Sequence, residues 1–215
     1  MKNALTPLLL FVSLISLVSA HCDLCGKTEK KKVDHAHATV GEAAPDFTLK
    51  TASGDEVQLS ALKGKEVVLE WVNFGCPFVK KHYAKGNMQA LQQKYTEQGV
   101  VWITISSANE NHPTYLNAAD LESAAKKAQS NATYTLVDAD GAVGHLYEAK
   151  TTPHTFVINK EGILSYAGAI DSKKSTNPAD IPGATNYVAA ALDALLAGQE
   201  VATKETRAYG CSVKY

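Results

Sequence analysis

Residues 67–79 read Val-Val-Leu-Glu-Trp-Val-Asn-Phe-Gly-Cys-Pro-Phe-Val, an apolar run that stops at a glycine and continues into a Cys-Pro step. The apolar run predicts a buried β-strand, and apolar residues at helical spacing follow from Pro77 onward. Proline suits the first position of a helix because its missing N–H would have no partner there. The stretch therefore predicts a strand that turns into a helix, with Cys76 at the N-terminus of that helix.

The predicted position of Cys76 favours a reactive thiol. Free backbone N–H groups and the positive end of the helix dipole stabilise the thiolate, which is the nucleophilic form of cysteine. Lys80, Lys81 and His82 follow within two turns, and we expect them to lower the thiol pKa further. The alternative interpretation is a buried structural cysteine that packs as a small apolar side chain. The local sequence leaves both interpretations open.

The first 20 residues have the features of a secretory signal peptide. Lys2 provides the positive start, residues 8–18 form an apolar run, and Val18-Ser19-Ala20 is a small-residue cleavage site. The apolar run is shorter than the about 20 residues needed to span a bilayer. We therefore expect an exported protein, periplasmic or secreted, without stable membrane insertion.

Charge and length restrict the classes of function. The formal net charge is -1, and the only basic run is the lysine-rich segment 27–32. This balance argues against nucleic acid as a partner. The single arginine, Arg207, lies in the C-terminal tail, so the predicted domain has no guanidinium for anion recognition. After signal cleavage, the remaining length suits one domain with terminal extensions.

The spacing of polar and apolar residues divides the rest of the chain into three parts. Residues 21–40 are expected to form a flexible arm rich in cysteine, histidine and lysine, residues 41–197 the domain, and residues 198–215 a tail that carries Cys211. The elements predicted in the domain are a hairpin over 46–59, a strand ending at 72, a helical segment over 77–98 broken at 86–87, a strand over 100–106, a helix over 118–129, a strand over 134–137, paired strands over 156–158 and 163–167, and a helix over 186–197. This order predicts an α/β three-layer sandwich with a mixed sheet.

Four motifs carry a resemblance to a known superfamily. They are residues 41–49 (Gly-Glu-Ala-Ala-Pro-Asp-Phe-Thr-Leu), residues 59–65 (Leu-Ser-Ala-Leu-Lys-Gly-Lys), Cys76-Pro77 and Thr152-Pro153. In this order they resemble the thioredoxin-like redoxins, which include the alkyl hydroperoxide reductase/thiol-specific antioxidant group and the TlpA-like thiol oxidoreductases. The resemblance implies a thioredoxin-like sandwich with a mixed central sheet and a thiol-dependent oxidoreductase or antioxidant activity without a cofactor. It also implies that Cys76 is the nucleophile and that Pro153 is cis and faces it.

Two patterns of that superfamily are not met. The thioredoxin and TlpA pattern has a second cysteine three residues after the first, where this chain has Val79. The peroxiredoxin pattern has Thr or Ser three residues before the cysteine and Pro seven before, where this chain has Asn73 and Leu69, and it also uses an arginine. No local disulfide can form at Cys76, and efficient peroxide reduction is in doubt. Protein disulfides and peroxides both remain as substrates, with a thiol or disulfide protein or a small peroxide as the partner.

Cys211 is the candidate for a resolving cysteine. The four cysteines, Cys22, Cys25, Cys76 and Cys211, allow three complete pairings in an oxidising compartment. About thirteen residues beyond residue 198 extend over roughly 40 Å, so the tail can return Cys211 to Cys76 or reach a partner chain. A second thiol is needed to release the product of disulfide exchange or to convert a sulfenic acid into a disulfide. The alternative is a structural bond that only pins the tail.

Cys22 and Cys25 form a CxxC motif in the arm, with histidines at positions 21, 35 and 37. The motif predicts a redox dithiol that exchanges electrons with Cys76, a copper or zinc site, or an inert disulfide loop formed during export. A metal-binding protein on a redoxin scaffold is therefore the alternative to an oxidoreductase. An interaction module with all four cysteines in structural bonds is the third hypothesis.

Overall fold

The computed structural model describes residues 37–215, which belong to one compact unit. The predicted signal peptide, most of the predicted arm, and both Cys22 and Cys25 lie outside the described residues. The strands are β1 (Thr48–Lys50), β2 (Glu56–Gln58), β3 (Val67–Trp71), β4 (Val101–Ser106), β5 (Tyr134–Val137), β6 (Thr151–Thr152), β7 (His154–Ile158), β8 (Leu164–Gly168) and β9 (Cys211–Ser212). The α-helices are α1 (Pro77–Tyr83), α2 (Asn87–Thr96), α3 (Ala118–Lys127), α4 (Ala142–Leu146) and α5 (Tyr187–Leu196). No helix among residues 37–215 is both long and apolar enough to cross a membrane.

A five-stranded mixed sheet in the order β5-β4-β3-β7-β8 forms the centre of the fold. Strands β3, β4 and β5 are parallel, whereas β7 and β8 are antiparallel to their neighbours. All residues of β3 are buried because the strand lies in the middle of the sheet, which explains why its sequence is apolar everywhere except at Glu70. The predicted mixed sheet is therefore confirmed.

The two faces of the sheet are covered by different elements. Successive side chains of a strand point to opposite faces, so Val68 and Leu69 belong to separate clusters of buried apolar residues. The face of Val68 packs against α1, α2 and α5, and the face of Leu69 packs against the β1–β2 hairpin and α4. Burial of each such side chain contributes about 1.5–3 kcal/mol. Packing on both faces of the sheet fixes the position of the end of β3, and therefore the position at which α1 starts.

The elements predicted within the domain are confirmed in their order and in their approximate bounds. The helical segment predicted over 77–98 divides at Gly86, which has a φ of 76° and precedes α2 as its N-cap. A left-handed backbone is strained for residues with a Cβ, so the glycine explains the break. Helix α4 and the strands β6 and β9 were not predicted, because a helix of five residues makes little more than one turn and a strand of two residues cannot show alternation.

The tail runs along the edge strand β8 before it reaches the end of β3. Glu205 forms an isolated parallel bridge with Ala167 of β8, and β9 pairs antiparallel with β6. Further on, the Lys214 carbonyl oxygen accepts a hydrogen bond from the Asn109 N–H at 2.7 Å. Backbone contacts therefore hold the tail on both sides of Cys211.

Candidate active site

Asn73 builds the turn between β3 and α1. Its side-chain Oδ1 accepts a hydrogen bond from the Gly75 N–H at 2.8 Å, and its carbonyl oxygen accepts one from the Cys76 N–H at 2.9 Å. Cys76 is the N-cap of α1, with extended backbone, and its carbonyl oxygen accepts from the Lys80 N–H at 2.9 Å. Pro77 is the first helical residue, as predicted. The thiol therefore lies at the helix N-terminus, where free N–H groups favour negative charge.

Cys76 lies against two of the other predicted site residues. Its Sγ atom is 2.6 Å from Sγ of Cys211 and 3.1 Å from the carbonyl oxygen of Thr152. Both cysteines are free thiols in this structure. A disulfide bond is about 2.05 Å long, so the sulfur atoms need to approach by only about half an ångström. Only 4% of Cys76 is exposed, and any partner larger than a small molecule must displace a neighbour to reach it.

Thr152 and Pro153 form a wall of the site beside Cys76. The peptide bond between them is cis, as the resemblance implied. Thr152 is also the pairing partner of Cys211 in the β6–β9 ladder, so the same residue contacts both cysteines. The Thr152 hydroxyl is buried and has no hydrogen-bond partner among the described residues. This hydroxyl is thus available to a thiolate at Cys76.

Gly210 allows the tail to approach the wall closely. A Cβ atom at this position would lie 2.1 Å from the Thr152 carbonyl oxygen, far inside contact distance. Cys211 is only partly exposed because pairing with β6 and the burial of Tyr209 order the segment.

The two thiols differ in acidity. Burial raises the pKa of the Cys76 thiol. Hydrogen bonds to the thiolate oppose burial; they come from the Cys211 thiol, the backbone N–H groups of Val79 and Cys211, and the Thr152 side chain. Together they lower the Cys76 pKa below its ordinary value. The pKa of Cys211 is raised to about 11, first by burial and then by its hydrogen bond to Cys76 and the charge there. Of the two thiols, Cys76 is therefore the more acidic, and Cys211 keeps its proton more strongly.

Lys80, which the sequence indicated as a support for the thiolate, is exposed at the surface of α1. Lys81 and His82 were expected to act in the same way, but both are buried and lie beside Asp171. Burial also lowers the pKa of His82 to about 4, although Asp171 opposes this, so the ring is neutral near pH 7. The expectation that these cations lower the Cys76 pKa is wrong, because hydrogen bonds at the N-terminus of α1 do so instead.

Glu70 is a buried ionisable group that sequence reasoning did not single out. Its carboxylate accepts hydrogen bonds from Trp102 Nε1 at 2.8 Å, from the Tyr83 hydroxyl at 3.2 Å and from Gln92 Nε2 at 3.3 Å. Burial raises the pKa of Glu70 to about 7 against the effect of these hydrogen bonds. The available signal was a glutamate inside an otherwise apolar strand. The side chain joins β3, α1, α2 and β4 below the site.

A metal centre has no candidate ligands in the described part of the chain. Residues 37–215 contain no group of three or more histidine, cysteine, aspartate or glutamate side chains that could hold a metal ion. His37, one of the three arm histidines, lies with its Nδ1 3.3 Å from the carbonyl oxygen of His145. The Cys22 and Cys25 thiols lie outside the described residues, so their pairing stays a prediction.

Comparisons with known proteins agree with this architecture. The AhpC/TSA family model matches residues 40–167. The thioredoxin-like protein YneN of Bacillus subtilis is 26% identical over 145 residues, which cover 66% of this chain and 79% of YneN. The thiol-disulfide oxidoreductase ResA of Oceanobacillus iheyensis is 30% identical over 158 residues, which cover 71% of this chain and 77% of ResA. A crystal structure of an uncharacterized conserved protein from Geobacillus kaustophilus matches with a TM-score of 0.72 and 26% identity, over 82% of this chain and 92% of that chain. The matches confirm the predicted thioredoxin-like fold.

Proposed function

Because this chain belongs to the AhpC/TSA family and brings Cys76 into contact with Cys211, we propose that it is an exported thiol-disulfide oxidoreductase acting on protein disulfides. Cys76 is the nucleophile, and Cys211 is the resolving cysteine. The observation that carries the proposal is the distance of 2.6 Å between the two sulfur atoms. Thr152 supports the site by its contacts with both cysteines, Pro153 by its cis peptide bond with Thr152, and Pro77 by starting α1.

The different acidities of the two thiols support this division of roles. Exchange begins with a thiolate, and the lowered pKa of Cys76 increases the fraction of thiolate at neutral pH. The raised pKa of Cys211 keeps its sulfur protonated and unreactive until Cys76 has given up its negative charge. Once Cys76 is part of a disulfide, the part of the Cys211 pKa rise that comes from the Cys76 charge and hydrogen bond disappears, and only the part due to burial remains. The pair therefore reacts in a defined order.

The reaction takes place in two exchanges. In the first, the Cys76 thiolate attacks a partner disulfide, a bond between Cys76 and the partner forms, and the second partner sulfur leaves as a thiolate. In the second, Cys211 loses its proton to solvent and attacks Cys76, the Cys76–Cys211 bond forms, and the remaining partner sulfur leaves as a thiolate. The partner gains two electrons and the pair loses two. A dithiol reductant restores the pair by the same exchanges in reverse.

Peroxide reduction is the second candidate, since Cys211 is equally placed to condense with a sulfenic acid at Cys76. Two observations make it weaker. Asn73 uses its side-chain oxygen to hold the turn, and Leu69 is fully buried in the core, so neither assists a bound peroxide. Arg207 is exposed on the tail. Protein disulfides are therefore the preferred substrate class.

The proposed location is a periplasm or the cell exterior. The support is the signal-like pattern of residues 1–20 together with a cysteine pair that would work where disulfides persist. The double variant Cys22→Ser/Cys25→Ser tests the role of these two cysteines, because its activity would differ if they formed a redox relay, a metal site or an inert disulfide loop. The test below therefore includes a chain in which both are serine.

The test compares the reduced mature chain with Cys76→Ser and with Cys22→Ser/Cys25→Ser. Each is treated with one equivalent of an oxidised dithiol or of hydrogen peroxide, mapped by peptide mass spectrometry, and assayed for reduction of insulin disulfides with a dithiol as electron source. We expect a reversible Cys76–Cys211 bond, insulin reduction that Cys76→Ser abolishes, and little effect of the arm variant. A Cys76 thiol that stays free and unreactive, or a Cys76→Ser variant with full activity, overturns the proposal.

A further inference from the structure

Lys81, Asp171 and Tyr209 form a buried polar cluster beside the two cysteines. Lys81 Nζ donates hydrogen bonds to the Asp171 carboxylate oxygens at 2.9 and 3.1 Å and to the Tyr209 hydroxyl oxygen at 3.1 Å. The Tyr209 hydroxyl donates in turn to Asp171 Oδ1. The three residues are between 1% and 6% exposed. Lys81 makes a further hydrogen bond, at 2.7 Å, to the Lys173 carbonyl oxygen.

The cluster joins the two segments that carry the cysteines. Lys81 lies in α1, five residues after Cys76, and Tyr209 lies in the tail, two residues before Cys211. The Tyr209 ring also packs edge-on against Phe78 of α1, with ring centres 5.9 Å apart. The tail is therefore attached to α1 by a non-covalent bridge, in addition to the contact between the sulfur atoms. The Asp171 carboxylate, just after β8, links the bridge to the sheet.

The chemistry of this bridge suits an attachment that opens. Lys81 and Asp171 both belong to the body of the domain, so their ion pair does not itself hold the tail. The tail contributes the Tyr209 hydroxyl, and its hydrogen bonds with Lys81 and Asp171 are the polar link that breaks when the tail leaves. When the tail leaves, Lys81 and Asp171 regain water, which makes separation easier than it would be for an apolar contact of the same area. Open grooves line the tail at residues 206–208, where Thr206 is held by polar contacts, through hydrogen bonds of its hydroxyl with the Tyr166 hydroxyl and the Ala169 N–H.

We propose that Lys81, Asp171 and Tyr209 act as a latch that sets how closely Cys211 is held to Cys76 and how readily the tail uncovers Cys76. The proposal rests on the two-cysteine function described above. A closed latch keeps Cys211 at a high effective concentration for the second exchange. An open latch exposes Cys76, otherwise 4% exposed, to the disulfide of a partner for the first exchange. The three residues are positioning residues, since they touch neither sulfur atom by any described hydrogen bond.

The variant Tyr209→Phe tests the latch, because it removes the hydroxyl and keeps the ring against Phe78. The first readout is the equilibrium between the dithiol and the Cys76–Cys211 disulfide in glutathione buffers. The second is the alkylation rate of Cys76, resolved by peptide mass spectrometry, in a Cys211→Ser background. Because a hydrogen bond to a charged group is lost, we expect the effective concentration to fall about tenfold and the alkylation rate to rise about tenfold.

The matched control is Tyr147→Phe, which removes another buried hydroxyl, one that donates to the Pro45 carbonyl oxygen at 2.7 Å on the opposite face of the sheet. It is expected to lower stability without changing either thiol readout. A lower effective concentration and faster alkylation in Tyr209→Phe, with neither change in Tyr147→Phe, support the latch, since a general loss of stability would produce both changes in both variants. Unchanged readouts in a folded Tyr209→Phe overturn the latch and leave the function intact. Failure of the unmodified chain to form the disulfide overturns both.

Amide hydrogen exchange of the unmodified chain tests the latch even if Tyr209→Phe fails to fold. Residues 205–215 are expected to exchange together in the dithiol form, faster than β3 and faster than the same residues in the disulfide form. Equal protection of the tail in the two forms, at the level of β3, would mean that the tail does not open and would overturn the proposal.

Discussion

Sγ of Cys76 lies 2.6 Å from Sγ of Cys211, although 135 positions separate the two residues in the chain. In a CxxC motif the second cysteine follows three residues after the first. Here the partner of Cys76 instead comes from the tail strand β9, which lies against the N-terminus of α1. The tail is held without a covalent bond, by backbone pairing, by side-chain hydrogen bonds of Thr206, Tyr209 and Tyr215, and by packing of Val213 against the core.

Replacement of Cys211 by serine should stop the cycle after the first exchange. Without a resolving thiol, the mixed disulfide between Cys76 and the partner cannot be released by the chain itself. In a Cys22→Ser/Cys25→Ser background, mass spectrometry of the reaction with insulin should show this adduct as the main product. The matching Cys76→Ser chain should form none. Adducts on Cys211 in that chain would reverse the assigned roles.

The pKa of Cys76 should depend on the group at position 211. We expect it to be higher in Cys211→Ala than in Cys211→Ser, because serine keeps a hydrogen-bond donor for the thiolate and alanine does not. The pH dependence of Cys76 alkylation measures this difference. Lys80→Gln is the control and should leave the pKa unchanged, since its side chain is exposed. A large shift of the Cys76 pKa in Lys80→Gln would show that the charge of Lys80 lowers this pKa after all.

Gly210→Ala should weaken the fit of the tail. The new Cβ would lie 2.1 Å from the Thr152 carbonyl oxygen, so the tail must move outward. We expect a loss of about 1–3 kcal/mol in the free energy of unfolding and slower Cys76–Cys211 disulfide formation. Urea denaturation under reducing conditions and timed thiol trapping measure the two effects. Gly183→Ala, where no atom lies within 4 Å of the new Cβ, is the matched control. Equal unfolding free energies and equal rates of disulfide formation in Gly210→Ala and Gly183→Ala would contradict the close fit of the tail at Gly210.

Glu70→Gln should change how stability depends on pH. The folded-state pKa of about 7 lies above the unfolded value of 4.5, so the folded chain binds more protons between these values. The stabilisation of the folded state that comes from the raised Glu70 pKa is therefore fully present below pH 4.5 and is lost as the pH rises through 7. Relative to the unmodified chain, the variant should gain on the order of 3 kcal/mol in unfolding free energy between pH 4.5 and 8.

Glu161→Gln is the control for the Glu70 measurement, because Glu161 is exposed in the turn between β7 and β8. It should follow the pH dependence of the unmodified chain, which also removes the effects of other titrating groups from the comparison. Denaturation is measured under reducing conditions so that all chains are in the dithiol form. A difference between Glu70→Gln and the unmodified chain that does not grow with pH would show that Glu70 has an ordinary pKa.

The sequence predicted secondary structure correctly where the pattern of apolar and polar residues extends over a whole strand or helix. The apolar run of β3, the spacing of α2 and α5, and the break at Gly86 each depend on residues within about ten positions, and all are confirmed. Prediction from the sequence failed at Lys80, Lys81 and His82, which are close to Cys76 along the chain. Lys80 is exposed, the Lys81 ammonium is paired with the Asp171 carboxylate, and the neutral His82 ring is buried beside it.

The sequence by itself determined that a strand ends before Cys76, that a helix starts at Pro77, and that the strands and helices alternate as in a mixed three-layer sandwich. Local backbone preference and the burial of apolar side chains suffice for these features. Only the tertiary structure decided that Cys211 faces Cys76, that Thr152 contacts both, and that Tyr209 reaches Lys81 and Asp171. Such contacts depend on the path of the tail across the sheet edge, which is set by hydrogen bonds between residues that lie from 38 to 128 positions apart in the chain and leaves no period in the sequence.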